Sequence, residues 1–173
     1  MSYTLPEFLA HAVAMEEEAA ERYLELADMM EAHRNDDVAA IFRDMNRFSN
    51  MHRDEIKARV GSIELPALKS WQYRWRVPPE VGGDEAFDYM LEPYHALRYA
   101  RENETRAEQF YRSVAVQAQD AELRRLAKEF ADEEKEHVAA LDEWIANTPR
   151  PSSTWQEDPD PLQPRGGSTL PAG

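Results

Sequence analysis

The chain has 173 residues, enough for one domain with a full core. Its 34 acidic and 20 basic residues give a formal charge of −14, which repels phosphate backbones and anionic lipid and argues against nucleic acid and membrane as partners. With no cysteine, disulfides, thiolate zinc sites and iron–sulfur chemistry are excluded. No basic region followed by an apolar run opens the chain, and no segment is apolar for long enough to span a bilayer, so a cytoplasmic location is expected.

The first predicted helix runs from about Leu5 to Ala32. Thr4 is its expected N-cap, Pro6 sits in the first turn, and Glu7 completes a capping-box spacing. Its apolar face reads Leu5, Leu9, Ala12, Ala19, Tyr23, Leu26 and Met30, with Glu16 in the middle of the stripe. Glu17, Glu18 and Glu21 fall on the expected solvated face, and His11, His33 and His95 are expected at the surface. The link His33–Asp36 lets Asn35 or Asp36 cap a second helix, which reaches Val60 and is stopped by Gly61. Its inner face reads Ile41, Met45, Ser49, His52 and Ile56.

Residues 61 to 83 interrupt the helical pattern with Gly61, Pro66, Pro78, Pro79, Gly82 and Gly83. They also hold Trp71, Tyr73 and Trp75, which predicts an ordered crossover against the bundle, with the tryptophans closing its edge or a dimer contact. Asp84 is placed to cap a short helix over Phe87–Leu91, so the crossover as a whole covers residues 61–91. A third helix is expected from Glu92 to Ala118, and a fourth from Asp120 to about Ala146. The fourth reads Leu126, Phe130, Glu134, His137, Leu141 and Trp144 along its inner face. The expected organisation is a bundle over residues 1–147 and a Pro/Gly-rich disordered tail over 148–173, with Trp155 in a segment able to dock a partner.

The two halves repeat. Leu9, Ala12, Glu16, Ala19 and Tyr23 recur 88 positions later as Leu97, Ala100, Glu104, Ala107 and Tyr111. Ser49 and His52 recur 85 positions later as Glu134 and His137. Two short-linked helix pairs joined by one long crossover predict an all-α, ferritin-like four-helix bundle. A glutamate inside a buried stripe is costly unless something pairs with it, and a metal ion pairs with several at once. Apposed inner faces bring Glu16, Glu104, Glu134, His52 and His137 to mid-bundle height, five of the six ligands of a di-iron carboxylate site. Carboxylate and imidazole suit iron or manganese and admit zinc. The same spacings also arise on acidic solvated helices, and a lone interior histidine is commonly a satisfied core residue.

The run Met15-Glu16-Glu17-Glu18-Ala19-Ala20-Glu21-Arg22-Tyr23 resembles the first-helix motif of rubrerythrin-like proteins, and Asp132-Glu133-Glu134-Lys135-Glu136-His137 resembles their fourth-helix motif. The resemblance covers roughly residues 5–147. It implies Glu16, His52, Glu104, Glu134 and His137 as ligands of iron, with two ions expected and one possible. It implies Tyr23 and Tyr111 as hydrogen-bond partners of the ligand carboxylates. It also implies a homodimer acting on iron with oxygen or hydrogen peroxide, as a di-iron oxidoreductase of ferroxidase or peroxidase type. Glu134 would bridge, while Glu16 and Glu104 would be terminal ligands. Departures from the family pattern are specific. Ser49 stands where the family has a bridging glutamate, Ala107 where true rubrerythrins carry an extra one, and without cysteine there is no rubredoxin-like electron donor. Asp44, Asn50 and Glu55 are poorly angled to replace Ser49. A mononuclear site on Glu104, Glu134 and His137 is a second option. The alternatives to an enzyme are a non-catalytic metal-binding module and a scaffold with a degenerate site.

Overall fold

The computed structural model describes residues 3–69 and 91–151. The aromatic crossover at Trp71, Tyr73 and Trp75, the breaks at Pro78, Pro79, Gly82 and Gly83, the cap at Asp84, the helix starting at Phe87 and the tail with Trp155 lie outside the described residues. Helices α1 (Leu5–Ala32), α2 (Asp36–Val60), α3 (Pro93–Gln117) and α4 (Ala121–Asn147) follow in chain order. Among the described residues no helix is long and apolar enough to cross a membrane.

Local chemistry sets the helix ends. The Thr4 side chain accepts from the Glu7 amide at 3.4 Å, and the Glu7 carboxylate accepts from the Thr4 amide at 2.9 Å. This reciprocal cap satisfies two backbone donors that the first turn leaves open. Asp120 caps α4 by accepting from the Leu123 amide at 2.7 Å. Gly61 ends α2 with φ +56°, a left-handed conformation that suits a residue without a side chain. At the α1–α2 link Arg34 takes φ +61°. Asn35 occupies the N-cap position of α2 but makes no side-chain cap. Its amide instead donates to the Leu91 carbonyl at 2.7 Å, tying this link to the approach to α3.

Helix α1 packs along α2 and α3 along α4, giving two hairpins. Within the first, Asn46 donates to the Ala20 carbonyl at 2.7 Å. Between hairpins, Phe8 meets Tyr111 and Phe130 at ring separations of 5.9 and 5.6 Å, and Tyr23 meets Tyr99 at 6.4 Å. This is the ferritin-like four-helix bundle that the repeat predicts.

The core has two apolar layers. One joins Phe8 to Met15 on α1, Ile56 and Val60 on α2, Ala107 to Val114 on α3, and Leu123 to Ala131 on α4. The other joins Ala19 to Met30, Val38 to Met45, Ala96 to Ala100, and Leu141. On every helix the segment between the layers carries polar residues: Glu16, Ser49 with His52, Asn103 with Glu104, and Glu134 with His137. The bundle is thus cut at mid-height by a polar layer with a hydrophobic plug on each side.

Candidate metal centre

Each residue of this layer reaches it through helical periodicity. Glu16 continues the Leu9–Ala12 stripe of α1 and is 2% exposed. Glu104 continues the Leu97–Ala100 stripe of α3, and Glu134 follows Phe130 on α4; both are buried. His137 lies three residues beyond Glu134, on the same face of α4, and its Nδ1–H donates to the Glu134 carboxyl at 2.9 Å. The same nitrogen is 3.4 Å from Glu104 Oε2. Glu104, Glu134 and His137 can each offer one ligand atom such that all three lie within 4.8 Å of one another. This arrangement suits a single cation.

Glu16 and His52 form a neighbouring pair, with His52 Nδ1 3.7 Å from Glu16 Oε1. The two histidines bring the pair to the triad. Their rings stack at 4.2 Å with planes only 4° apart, His52 from α2 against His137 from α4. Ser49 is buried on α2, three residues before His52. Of the residues expected to be poorly angled, Asp44 pairs with Arg47 at 3.0 Å and Asn50 is held by Arg53 at 2.6 Å. Glu55 lines a small cavity with Glu16, His52, Glu134 and His137. Tyr111 lines this cavity too, while the Tyr23 hydroxyl accepts from Asn103 at 3.0 Å.

The electrostatics are those of a site short of positive charge. Burial raises the Glu134 carboxyl well above its usual range, and the charge of Glu104 pushes it further. Burial acts the same way on Glu104, but hydrogen bonds from His137 and Glu134 prevail and hold it below its ordinary value. Burial opposes charge on His137, yet hydrogen bonds to Glu104 and Glu134 outweigh it and raise its pKa to about 10. Burial, followed by the nearby charge of His137, lowers His52. Without metal, the cluster therefore holds a proton on His137 in place of a cation, and Glu134 is biased toward its protonated form.

Several expectations need correction. His11 is 2% exposed, not at the surface. Its Nδ1–H donates to the Glu7 carbonyl at 2.6 Å and its ring meets the edge of Tyr3, so the bundle end around Tyr3 covers it. Its repeat partner 88 positions on is the buried Tyr99, a signal the sequence contained. His95 and Glu18 are half-buried, whereas His33, Glu17 and Glu21 are exposed as expected. Trp144 is 42% exposed although it continues the α4 stripe. Its partner across the α2–α4 seam is Phe48, at 6.3 Å, and together they wall an opening rather than fill the core. Asn103 was not anticipated, yet it is fully buried and also accepts from Arg106. It stands three residues after Ala100 on the apolar stripe, which is the cue for a buried amide. Arg59 lines the small cavity, but its guanidinium pairs with Glu133 at 2.5 Å and lies 5.2 Å over the Phe130 ring.

A solved structure from Magnetospirillum magnetotacticum MS-1, described as an uncharacterized conserved protein, is similar at 63% identity over 87% of this chain and 99% of that chain, with a TM-score of 0.67. A hypothetical protein from Pyrococcus furiosus is 20% identical over 84% of this chain and 92% of that chain, with a TM-score of 0.41. No curated protein matches. Residues 7–143, which contain the whole polar layer and most of both hairpins, match rubrerythrin; the chain belongs to the rubrerythrin family.

Proposed function

We propose that this chain binds iron through Glu104, Glu134 and His137, with Glu16 and His52 beside them, and that the bound iron reduces oxygen or peroxide. The observation that carries this reading is the triad: two buried carboxylates and an imidazole whose ligand atoms lie within 4.8 Å of one another. The donor set fits. Oxygen and nitrogen donors suit ferrous iron, and two carboxylates supply the negative charge that a buried divalent cation needs.

Iron held there would supply one-electron redox chemistry. The chain's own residues do the rest. Glu134 and His137 release their protons as the cation enters, which turns an acid and an imidazolium into ligands. The stacked rings of His52 and His137 restrain each other's orientation, so both present nitrogens from fixed planes. The apolar layers above and below close the site along the bundle axis. Glu16 and His52 are the natural donors to a second ion beside the first. Manganese and zinc are compatible occupants.

A second reading has its own support. Ser49 removes a carboxylate from the wall that would hold a second ion, and among the described residues the compact group has three members. A protein holding one ion without turnover would look the same. Anaerobic loading with Fe(II), followed by oxygen or hydrogen peroxide, separates the two. Ferric absorption that appears faster than for free iron, with about two irons per chain, supports the oxidoreductase. Bound iron or zinc with no accelerated oxidation supports the binding module.

A further inference from the structure

Among the described residues, two cavities of opposite character reach the polar layer. On one side lies the small cavity beside Glu55 and the Arg59–Glu133 ion pair, with room of only about 10 Å³, a single water-sized species. On the other, between α2 and α4, a cavity of about 240 Å³ opens to the surface. Its walls are Met45, Phe48, Met51, Leu141 and Trp144, with no charged side chain among them. Its floor is His52, Glu104 and His137. Met51 and Trp144 are 48% and 42% exposed, so the mouth is open to solvent.

We propose that this opening binds a small organic hydroperoxide, with its alkyl or aryl group against Phe48, Met51 and Trp144 and its peroxide group at the floor by Glu104 and His137. The inference rests on the function proposed above and specifies its oxidant. Hydrogen peroxide is little larger than water, whose share of liquid volume is about 30 Å³, and it gains nothing from thioether and aromatic walls. A hydroperoxide with an apolar group fills the space, buries that group, and leaves its only polar end at the only polar surface. Methionine walls adapt to differing apolar shapes. In the reaction the O–O bond breaks and the hydroperoxide becomes an alcohol and water. Two electrons come from two ferrous equivalents, which become ferric. Two protons complete the balance.

The test uses the full-length, metal-free protein and cumyl alcohol, the alcohol that cumene hydroperoxide would yield. Its titration followed by NMR should give saturable shifts at the Trp144 indole N–H and the Met45 and Met51 methyls. The exposed Ala140 lies on the rim, and Ala140→Phe should fill the opening without disturbing the core. The variant should abolish these shifts. After iron loading, its kcat/KM for cumene hydroperoxide should fall about tenfold more than that for hydrogen peroxide. Absence of saturable shifts in a protein that still turns over hydrogen peroxide overturns this inference alone. So does a dimer in solution that shields Met51 and Trp144. Iron loading without turnover of either peroxide overturns the function proposed above, and this substrate with it.

Discussion

The proton on His137 gives the metal-free protein a stability that depends on pH in a predictable direction. The ordinary histidine value is 6.5 and the folded value is about 10. The folded chain therefore keeps a proton that the unfolded chain has lost, and the associated stability is fully present below pH 6.5 and lost as pH rises to about 10. Each pH unit within this window corresponds to about 1.4 kcal/mol, so the interval from pH 7 to pH 9 has an upper bound of roughly 3 kcal/mol. The His137 side chain is 30% exposed and shares its protons with Glu134 and Glu104. Solvent screening and that coupling reduce the figure to about 1 kcal/mol. Glu134, whose pKa is also raised, acts with the same sign. Glu104 is lowered, so its contribution is present above the ordinary carboxylate value and is lost only on acidification, outside this interval. Lowered His52 works in the opposite sense, but its window lies below pH 6.5. Urea unfolding followed by circular dichroism, in chelator at several pH values, measures the slope. His137→Gln keeps a polar group beside the carboxylates but does not titrate, and should remove more than half of the loss. An unchanged slope in the variant would refute this account of the cluster.

Three further outcomes follow from the same geometry. Metal binding at pH 7 should release protons, chiefly from His137, seen by calorimetry in buffers of different ionisation enthalpy; release near zero contradicts the protonation pattern. Ser49→Glu should raise metal occupancy towards two ions per chain by elemental analysis, because it adds a carboxylate one turn from His52; unchanged occupancy places Ser49 outside the site. Tyr23→Phe should destabilise the protein by about 1–2 kcal/mol in chemical denaturation, since the buried Asn103 amide loses its acceptor. A change within error would mean that this bond is replaced.

Much of the bundle was legible because its signals are local. The Thr4–Glu7 cap, the stop at Gly61 and the Asp120 cap mark helix ends through chemistry within a few residues. The polar layer was legible for another reason: a repeat placed carboxylates on otherwise apolar stripes in both halves. What sequence could not resolve depends on how one hairpin rotates against the other. That rotation sets His52 against His137, joining the Glu104, Glu134 and His137 group of the second hairpin to the Glu16 and His52 pair of the first. It also turns Trp144 to the rim of the α2–α4 seam, though its helical position matches the core residue Leu141. His11 was misplaced because helical angle alone ignores what covers a helix end, here Tyr3. Asn103 shows a related limit, since a buried amide becomes intelligible only with its partners Tyr23 and Arg106 in view.

The central claim is that the mid-bundle polar layer is a metal centre built on Glu104, Glu134 and His137. Anomalous diffraction at the iron edge, from crystals of the full chain loaded anaerobically with Fe(II), tests it directly. The account predicts a peak bonded to all three residues, with any second peak on the side of Glu16 and His52. Full loading with no peak at the triad, or iron only on surface carboxylates, would contradict it.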